Sequence, residues 1–429
     1  MKALHAWLEG AYVGIFVEHP DGLVQFNYAD DAPAPPVSLS LPRGGRWAER
    51  TPKRFLDNLL PDTNRARRRM ATAVGAASAS IFDLLAKVGG DIAGGLVLSP
   101  SDAPPAPAKS GDLQKLDIDD IAFRIHELRN DPDSWWDRQI EQFRFSLAGT
   151  QPKFALARVE NAWFAPNKAV PSTHIIKPAS THAFNSDLVE TATARLARLA
   201  GLPAMRSGLL QALDQRAFAI ERFDRDVTTT PAKRLHTEDL AQAMGLMPDQ
   251  KYGPTAKQVI NLLLAADATE QTAYQFIEQL AFNVAVGNAD AHVKNYSVFL
   301  RPASISMTPI YDALSTSFWE YMDNRLAMKI SGADRAAAIT PSHWAKQARQ
   351  SGLDPDRVVD IAERVSRQVL DQADEAFAEL PDSIRTRLAQ TVARANRGMA
   401  RQTQPTQPPI TSFPSIEVSP TESYEDPSP

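Results

Sequence analysis

The feature that most constrains the fold is that the two hydrophobic periodicities of the chain do not mix. Up to about residue 221 the apolar side chains come in short alternating runs: "HAWLEGAYVGIFVEH", "GLVQFNYA", "FRFSLAGTQPKFALARV", "HIIKPA" and "GLLQALDQRAFAIERFD". Such alternation belongs to β-strands, and the intervening "PDG" and Gly-containing turns suit hairpins. From about residue 236 the spacing becomes helical, in "TEDLAQAMGL", "AKQVINLLLAAD", "EQTAYQFIEQLAFNVAVG", "HWAKQARQSGL", "RVVDIAERVSRQVLDQADEAFAEL" and "SIRTRLAQTVARANRGMA". Few helices interrupt the first part. "TPKRFLDNLL" and "SIFDLLAKVGG" are short, and "LVETATARLARLAGLP" is stopped by Gly201 and Pro203. A strand-rich part followed by a helix-rich part predicts an α+β, bilobal layout.

The 429 residues suffice for two or three domains. Residues 1–100 read as a small α/β subdomain, 101–112 as a linker or loop within a Pro-, Ser- and Asp-rich stretch, 113–235 as a strand-rich lobe and 236–400 as a helical lobe. Residues 401–429 are rich in Pro, Ser and Thr and acidic toward the end, a composition expected to stay disordered. The chain has no cysteine, which excludes disulfides and thiolate metal sites. A net charge of −5 makes no general electrostatic case for nucleic acid or membrane binding. "MKALHAWLEG" lacks the apolar core of a signal peptide, and no apolar run is long enough to span a bilayer, so a cytoplasmic protein is expected. There is no repeat at a fixed period.

Within this frame several polar groups stand where chemistry is done. "VGNADAHVKNYSVFL" places Asp290, His292, Lys294 and Asn295 on a loop between a helix and a strand. Asp290 and Asn295 have the D-x-x-x-x-N spacing of a protein-kinase catalytic loop, where the Asp accepts a hydroxyl proton and the Asn binds Mg²⁺. A polar loop with Asx turns is the ordinary alternative. Asp312, at the end of an apolar run in "MTPIYDALST", stands where a second metal-binding Asp follows such a loop, or is a plain strand-end Asp. Lys177 ends the strand-like "HIIKP" and suits contact with nucleotide phosphates, with Glu190 on the next helix as its partner, unless it is an edge-strand lysine in water. Ala148, Gly149 and Thr150 lie in a loop able to offer backbone N–H groups to phosphates, though an ordinary hairpin turn has the same appearance. Glu221 and Phe223, in "FAIERFDR", stand where a hinge would meet an adenine edge and face, an ordinary strand end being the alternative. His292 and Lys294 are further candidates to contact phosphate, a structural hydrogen bond being the alternative for His292. These elements occur in kinase order: phosphate loop, strand lysine, helix glutamate, hinge, helical lobe, Asp…Asn loop, metal Asp.

The segments "SLSLP", "FLDNLLPD", "SLAGTQPKFAL", "THIIKP", "ERFDR", "GNADAHVKNYS" and "PIYDALS" together closely resemble the HipA family, the kinase toxins of bacterial HipBA-type toxin–antitoxin modules. The resemblance implies a two-lobed kinase-like fold with an extra N-terminal subdomain. It implies ATP- and Mg²⁺-dependent phosphorylation of protein Ser or Thr. Asp290 would be catalytic, Asn295 and Asp312 the metal ligands, and Ser146 an inhibitory autophosphorylation site. It implies a HipB-like helix-turn-helix antitoxin as partner, with operator DNA met only in that complex and no membrane. As protein substrate it suggests an aminoacyl-tRNA synthetase, glutamyl-tRNA synthetase first. A small-molecule or lipid kinase with the same core, or a catalytically silent co-repressor, is the alternative. Pro152 and the acidic tail depart from the family pattern.

Of the remaining features, "NRARRRM" is either a DNA-phosphate contact or a solvated helix face, the latter favoured. His174, Trp135 and Trp136 read as structural.

Overall fold

The computed structural model describes residues 1–32, 35–103, 113–135, 145–167 and 170–400. The expectations for the tail, for most of the linker and for Trp136 lie outside these residues.

Strands β1 (Lys2–Leu8), β2 (Ala11–Glu18) and β3 (Val24–Tyr28) form the expected hairpins, and β4 (Leu96–Ser99) closes an antiparallel sheet of order β3-β2-β1-β4. A bulge between Ala6 and Trp7 breaks the alternation, so Trp7 and Leu8 both turn inward. Helices α1 (Thr51–Asp57), α2 (Asn64–Val74) and α3 (Ile81–Val88) complete this subdomain. Thr63 and Ser80 cap α2 and α3 by accepting backbone N–H groups of the first turn.

The second sheet has the order β5-β7-β6-β8-β10-β9. Its strands are β5 (Lys115–Leu116), β6 (Phe154–Val159), β7 (Ala162–Phe164), β8 (His174–Pro178), β9 (Ser207–Ala212) and β10 (Gln215–Glu221). Helix α4 (Ile118–Asn130), opened by an Asp117/Asp120 capping box, packs on it. Helix α5 (Ser186–Leu199) connects β8 to β9. Only the second run of "FRFSLAGTQPKFALARV" is a strand. The described part of the first, Phe145–Leu147, is a buried loop. Its hydrogen bonds go to the N-terminal subdomain instead: Ser146 N–H donates to the Asp91 carbonyl at 2.9 Å, and Ser146 Oγ to the Leu59 carbonyl at 2.6 Å.

Short strands β11 (Arg225–Asp226) and β12 (Lys233–Arg234) pair with each other beyond the hinge. "TEDLAQAMGL" is not one helix. Thr237–Asp239 forms β13, which pairs with β14 (Ser297–Arg301), leaving one helical turn, α6 (Leu240–Ala243). Strand β15 (Ser304–Met307) completes that hairpin. Helices α7 (Ala256–Ala266), α8 (Gln271–Ala285), α9 (Pro341–Ser351), α10 (Pro355–Phe377), α11 (Asp382–Ala395) and α12 (Arg397–Ala400) make the rest of the C-lobe. α10 shows why the periodicity was legible. Asp354 caps it, Pro355 occupies its first turn, and Val358, Ala362, Val365, Val369 and Ala373 recur at three- and four-residue steps to make the stripe buried against α8, α9 and α5.

Among the described residues, most buried apolar side chains fall in two cores. One joins α5 to the C-lobe helices. The other is shared by the N-terminal subdomain and the second sheet, running from Leu4, Phe16 and Phe55 to Phe154, Leu156 and Ile176. The subdomain also reaches the C-lobe. Arg54 donates to the Gly245 carbonyl at 3.0 Å and Asn58 to the Leu246 carbonyl at 2.8 Å. Glu238 receives Ser38 Oγ at 2.5 Å and the Leu39 N–H at 2.8 Å. Burial pushes the Glu238 carboxyl up to about 8, against the pull of these two donors. Gly94 sits against the start of β13. A Cβ there would lie 2.5 Å from the Thr237 carbonyl, and φ is +79°.

Candidate active site

A cleft between the lobes is lined by the 147–151 loop, β8, the 220–224 hinge, β13 and the 288–297 and 311–316 segments. Strand β8 aims Lys177 into it. The Lys177 ammonium lies 2.7 Å from Glu190 Oε1 and 2.5 Å from Asp312 Oδ1. Burial disfavours its charge, but the two carboxylates outweigh that and hold its pKa above the ordinary lysine value. Burial likewise opposes the charge on Asp312, while Lys177 and Lys153 hold its carboxyl well below the usual range. Asp312 adopts φ +53°, a left-handed conformation that Asp tolerates better than most side chains.

The Asp290 loop follows α8 through Gly287, whose φ is +68°. Internal bonds fix its backbone. Asn288 Nδ2 donates to Asn283 Oδ1 at 2.8 Å, Asp290 N–H to Asn288 Oδ1 at 3.1 Å, and Asn295 Nδ2 to the Asp290 carbonyl at 2.9 Å. Asx turns are thus present, but they present a carboxylate rather than merely turning the chain. Asp290 itself is exposed, and its Oδ1 accepts a 2.6 Å bond from the Tyr252 hydroxyl. His292 is buried, lines the cleft, and has its Nδ1 without a hydrogen-bond partner. Lys294 also lines the cleft, but its ammonium lies 2.8 Å from Asp239 Oδ2 and 2.7 Å from Asn58 Oδ1. It ties the loop to the N-terminal subdomain, so the nucleotide contact expected of it has a competitor already in place.

Ala148, Gly149 and Thr150 line the cleft as expected, and Asp62 holds their loop. Gly149 N–H faces Asp62 Oδ1 at 3.3 Å, and Asp62 Oδ2 lies 2.9 Å from the Lys251 ammonium. At the hinge, Glu221 is half-buried and Phe223 packs on Tyr311 with ring centroids 4.8 Å apart. The charges of "ERFDR" do something else. Arg222 and Arg225 make a buried network with Asp224 and with Asp91 of the N-terminal subdomain, Arg225 Nη2 standing 2.9 Å from Asp91 Oδ1.

Three contributors were not singled out from sequence. Lys153, buried beneath the loop, donates to the Ala148 carbonyl at 2.9 Å and stands over the Trp135 ring at 5.2 Å. Burial and the neighbouring Lys177 push its pKa down to about 8. Its signal was a lysine directly before the apolar start of β6. Tyr252 carried no local signal, and Asp62 only its place at the end of "FLDNLLPD". The "NRARRRM" segment is the solvated helix face favoured above: Arg65, Arg68 and Arg69 are exposed, Arg65 and Arg69 in surface pairs with Asp133 and Asp131, and only Arg67 is held in a partly buried pair, with Asp57. His174 bonds to Thr173 Oγ1 at 2.8 Å, and burial pushes its pKa down to about 4.

A small strand-rich lobe, a helical lobe, and between them a strand lysine paired with a helix glutamate define a kinase-like α+β protein. Residues 4–99 match the HipA N-terminal domain and residues 145–373 the HipA-like C-terminal domain, and the chain belongs to the HipA family. It is 32% identical over 365 residues to Y4mE of Sinorhizobium fredii, covering 82% of this chain and 86% of that protein. It is 28% identical over 363 residues to the serine/threonine-protein kinase toxin HipA of Shewanella oneidensis, covering 81% and 82%. The Shewanella oneidensis HipA in complex with HipB and operator DNA superposes with a TM-score of 0.79 at 25% identity, covering 93% of this chain and 98% of that one. No helix among the described residues is long and apolar enough to cross a membrane.

Proposed function

We propose that the chain is an ATP- and Mg²⁺-dependent serine/threonine-protein kinase and the toxin of a toxin–antitoxin pair. One observation carries the reading: Lys177, Glu190 and Asp312 meet in the cleft that also holds the Asp290–Asn295 loop. The donor set suits Mg·ATP. Lys153 and Lys177 supply positive charge and His292 an unpartnered ring nitrogen, while Asn295 and Asp312 supply the hard oxygens magnesium prefers. When bound, Mg·ATP supplies the phosphoryl group and neutralises its charge.

In this reading Lys177 steadies the phosphates and Glu190 holds Lys177 in place. Ala148, Gly149 and Thr150 cover the phosphates, Glu221 and Phe223 take the adenine, and Asp290 accepts the proton of the acceptor hydroxyl. Ser146 is the inhibitory autophosphorylation site. A phosphate of about −2 charge does not fit the buried position its hydroxyl now occupies, so the modified loop would stay outside, taking Gly149 and Lys153 from the cleft. By likeness to Shewanella oneidensis HipA, the partner is a HipB-like helix-turn-helix antitoxin with operator DNA. The family resemblance suggests an aminoacyl-tRNA synthetase, glutamyl-tRNA synthetase first, as the substrate.

The test is transfer of γ-labelled phosphate from Mg·ATP to protein by wild type and Asp290→Asn. Label on protein with wild type alone supports the reading. Label on a small molecule, or no transfer by either, overturns it. Mass spectrometry of wild type after turnover checks for phosphate on Ser146.

A further inference from the structure

The backbone of the Asp290 loop is fixed by its own asparagines, but the Asp290 carboxylate is not. It projects into solvent at the mouth of a groove of about 760 Å³ that runs past Thr150, Pro178, His182 and Met322. The carboxylate is bonded by Tyr252, whose hydroxyl donates to Oδ1 at 2.6 Å. Tyr252 is remote in sequence, in the turn between α6 and α7, and it also lines the groove. It is 53% exposed, so hydrophobic burial alone does not account for its position.

Its ring is held from two sides. The His292 imidazole meets it edge-on, with centroids 4.9 Å apart, and the Lys251 ammonium lies 5.6 Å from its centroid while paired to Asp62. A tyrosine phenol is protonated at neutral pH and so donates, and burial and the Asp290 carboxylate raise its pKa further. A carboxylate has acceptor capacity at both oxygens. With Oδ1 tied to a phenol braced by the loop's own histidine, Oδ2 is left to receive an acceptor hydroxyl in one orientation.

Resting on the kinase reading above, we infer that Tyr252 is a positioning residue for phosphoryl transfer. It fixes the rotamer of Asp290 through its hydroxyl and walls the acceptor groove with its ring. Without that bond an exposed aspartate samples several rotamers, and a proton acceptor out of place by about 1 Å costs on the order of a hundredfold in rate. The hydroxyl, not the ring, is what acts on Asp290.

Tyr252→Phe and Tyr252→Ala in the full chain test this by single-turnover transfer of γ-labelled phosphate from Mg·ATP to protein, with a fluorescent ATP analogue measuring nucleotide affinity. The expected result is nucleotide affinity equal to wild type, and transfer by Tyr252→Phe slowed about tenfold to a hundredfold. Tyr252→Ala should be at least as slow. If Tyr252→Phe transfers within about twofold of wild type while Tyr252→Ala is slow, the residue acts by packing on His292 and the inference fails. It fails equally if the loss in Tyr252→Phe is one of nucleotide affinity. If wild type transfers nothing, the kinase reading falls and takes this inference with it. Tyr252→Phe keeps all the ring contacts, so folding does not confound the decisive comparison.

Discussion

Asp91→Asn puts the junction of the N-terminal subdomain and the hinge to the sharpest test. The Asp91 carboxylate is fully buried, 2.9 Å from Arg225 Nη2 and 3.9 Å from Arg222 Nη1, and accepts the Ser172 N–H at 3.0 Å. At an effective dielectric constant of ~20 the two attractions amount to about 6 and about 4 kcal/mol before desolvation. Desolvation of the buried ions offsets much of that in the intact protein. In the variant the offset remains and the attraction goes. Arg222 and Arg225, with Arg234 beside them, then face Asp224 alone, leaving positive charge in excess, and the new amide nitrogen donates where an acceptor is needed. The expected loss is about 3–5 kcal/mol, a large part of the ~5–15 kcal/mol that holds a typical domain. Chemical denaturation followed by tryptophan fluorescence measures it, with Lys2→Ala as control. That lysine pairs with Asp83 at 2.7 Å but is half exposed, and its loss should cost under about 1 kcal/mol. An Asp91→Asn variant within about 1 kcal/mol of wild type would refute the reasoning.

Glu238 predicts a pH dependence of known sign. Its folded carboxyl is raised to about 8, so the stability it contributes is complete below the ordinary glutamate value and is lost as pH rises toward 8. Glu238→Gln, which keeps partners for Ser38 and Leu39, should gain on wild type by about 3–5 kcal/mol across that window, and equal slopes in a pH series of denaturation midpoints would rule the effect out. Lys177→Met should lower transfer at least about a hundredfold and also destabilise, because Glu190 is left buried and unpaired. Adding Glu190→Gln should restore the melting temperature but not the transfer, and restored transfer would contradict the role given to Lys177. Gly94→Ala, which drives a Cβ against the Thr237 carbonyl, should cost about 2 kcal/mol or more, whereas Gly75→Ala, also at positive φ but with open space, should cost about 1 kcal/mol, as thermal melts will show.

The groups legible in the sequence were those whose type and order carry chemistry. Lys177 and Glu190 lie on a strand and a helix whose periodicities are plain, and Asp312, 135 residues beyond Lys177, meets them although the apolar run before it is a strand only as far as Met307 and reaches Asp312 as a loop. Helices such as α10 were legible because one stripe of one element faces one core. What could not be read depends on partners at long range. "ERFDR" reads as a hinge beside adenine, but nothing local says that Arg222 and Arg225 turn to Asp91. The apolar character of Phe145 and Leu147 suggests a strand, but alternation does not say whether a run will meet a neighbouring strand or another subdomain. Tyr252 lies in a polar turn, and its partner Asp290 is assigned by the packing of the C-lobe alone. The same holds for Glu238, whose environment is made by Ser38 and Leu39 from the other end of the chain.

The placement of the N-terminal subdomain has a further consequence, for modularity. In sequence the kinase-like lobes look separable, a catalytic cassette with an accessory piece ahead of it. Their energetics are not. A fragment beginning at residue 113 would open the core that Phe154, Leu156 and Ile176 share with the N-terminal subdomain, and would lose Asp91 from the arginines of its own hinge. It would also release Lys294 from Asn58 and Glu238 from Ser38 in the other lobe. The stability of the cassette is therefore tied to the subdomain ahead of it. Recombination that swaps the leading subdomain must carry Ser38, Asn58 and Asp91 across intact, which couples the inheritance of the two parts as tightly as it couples their stability.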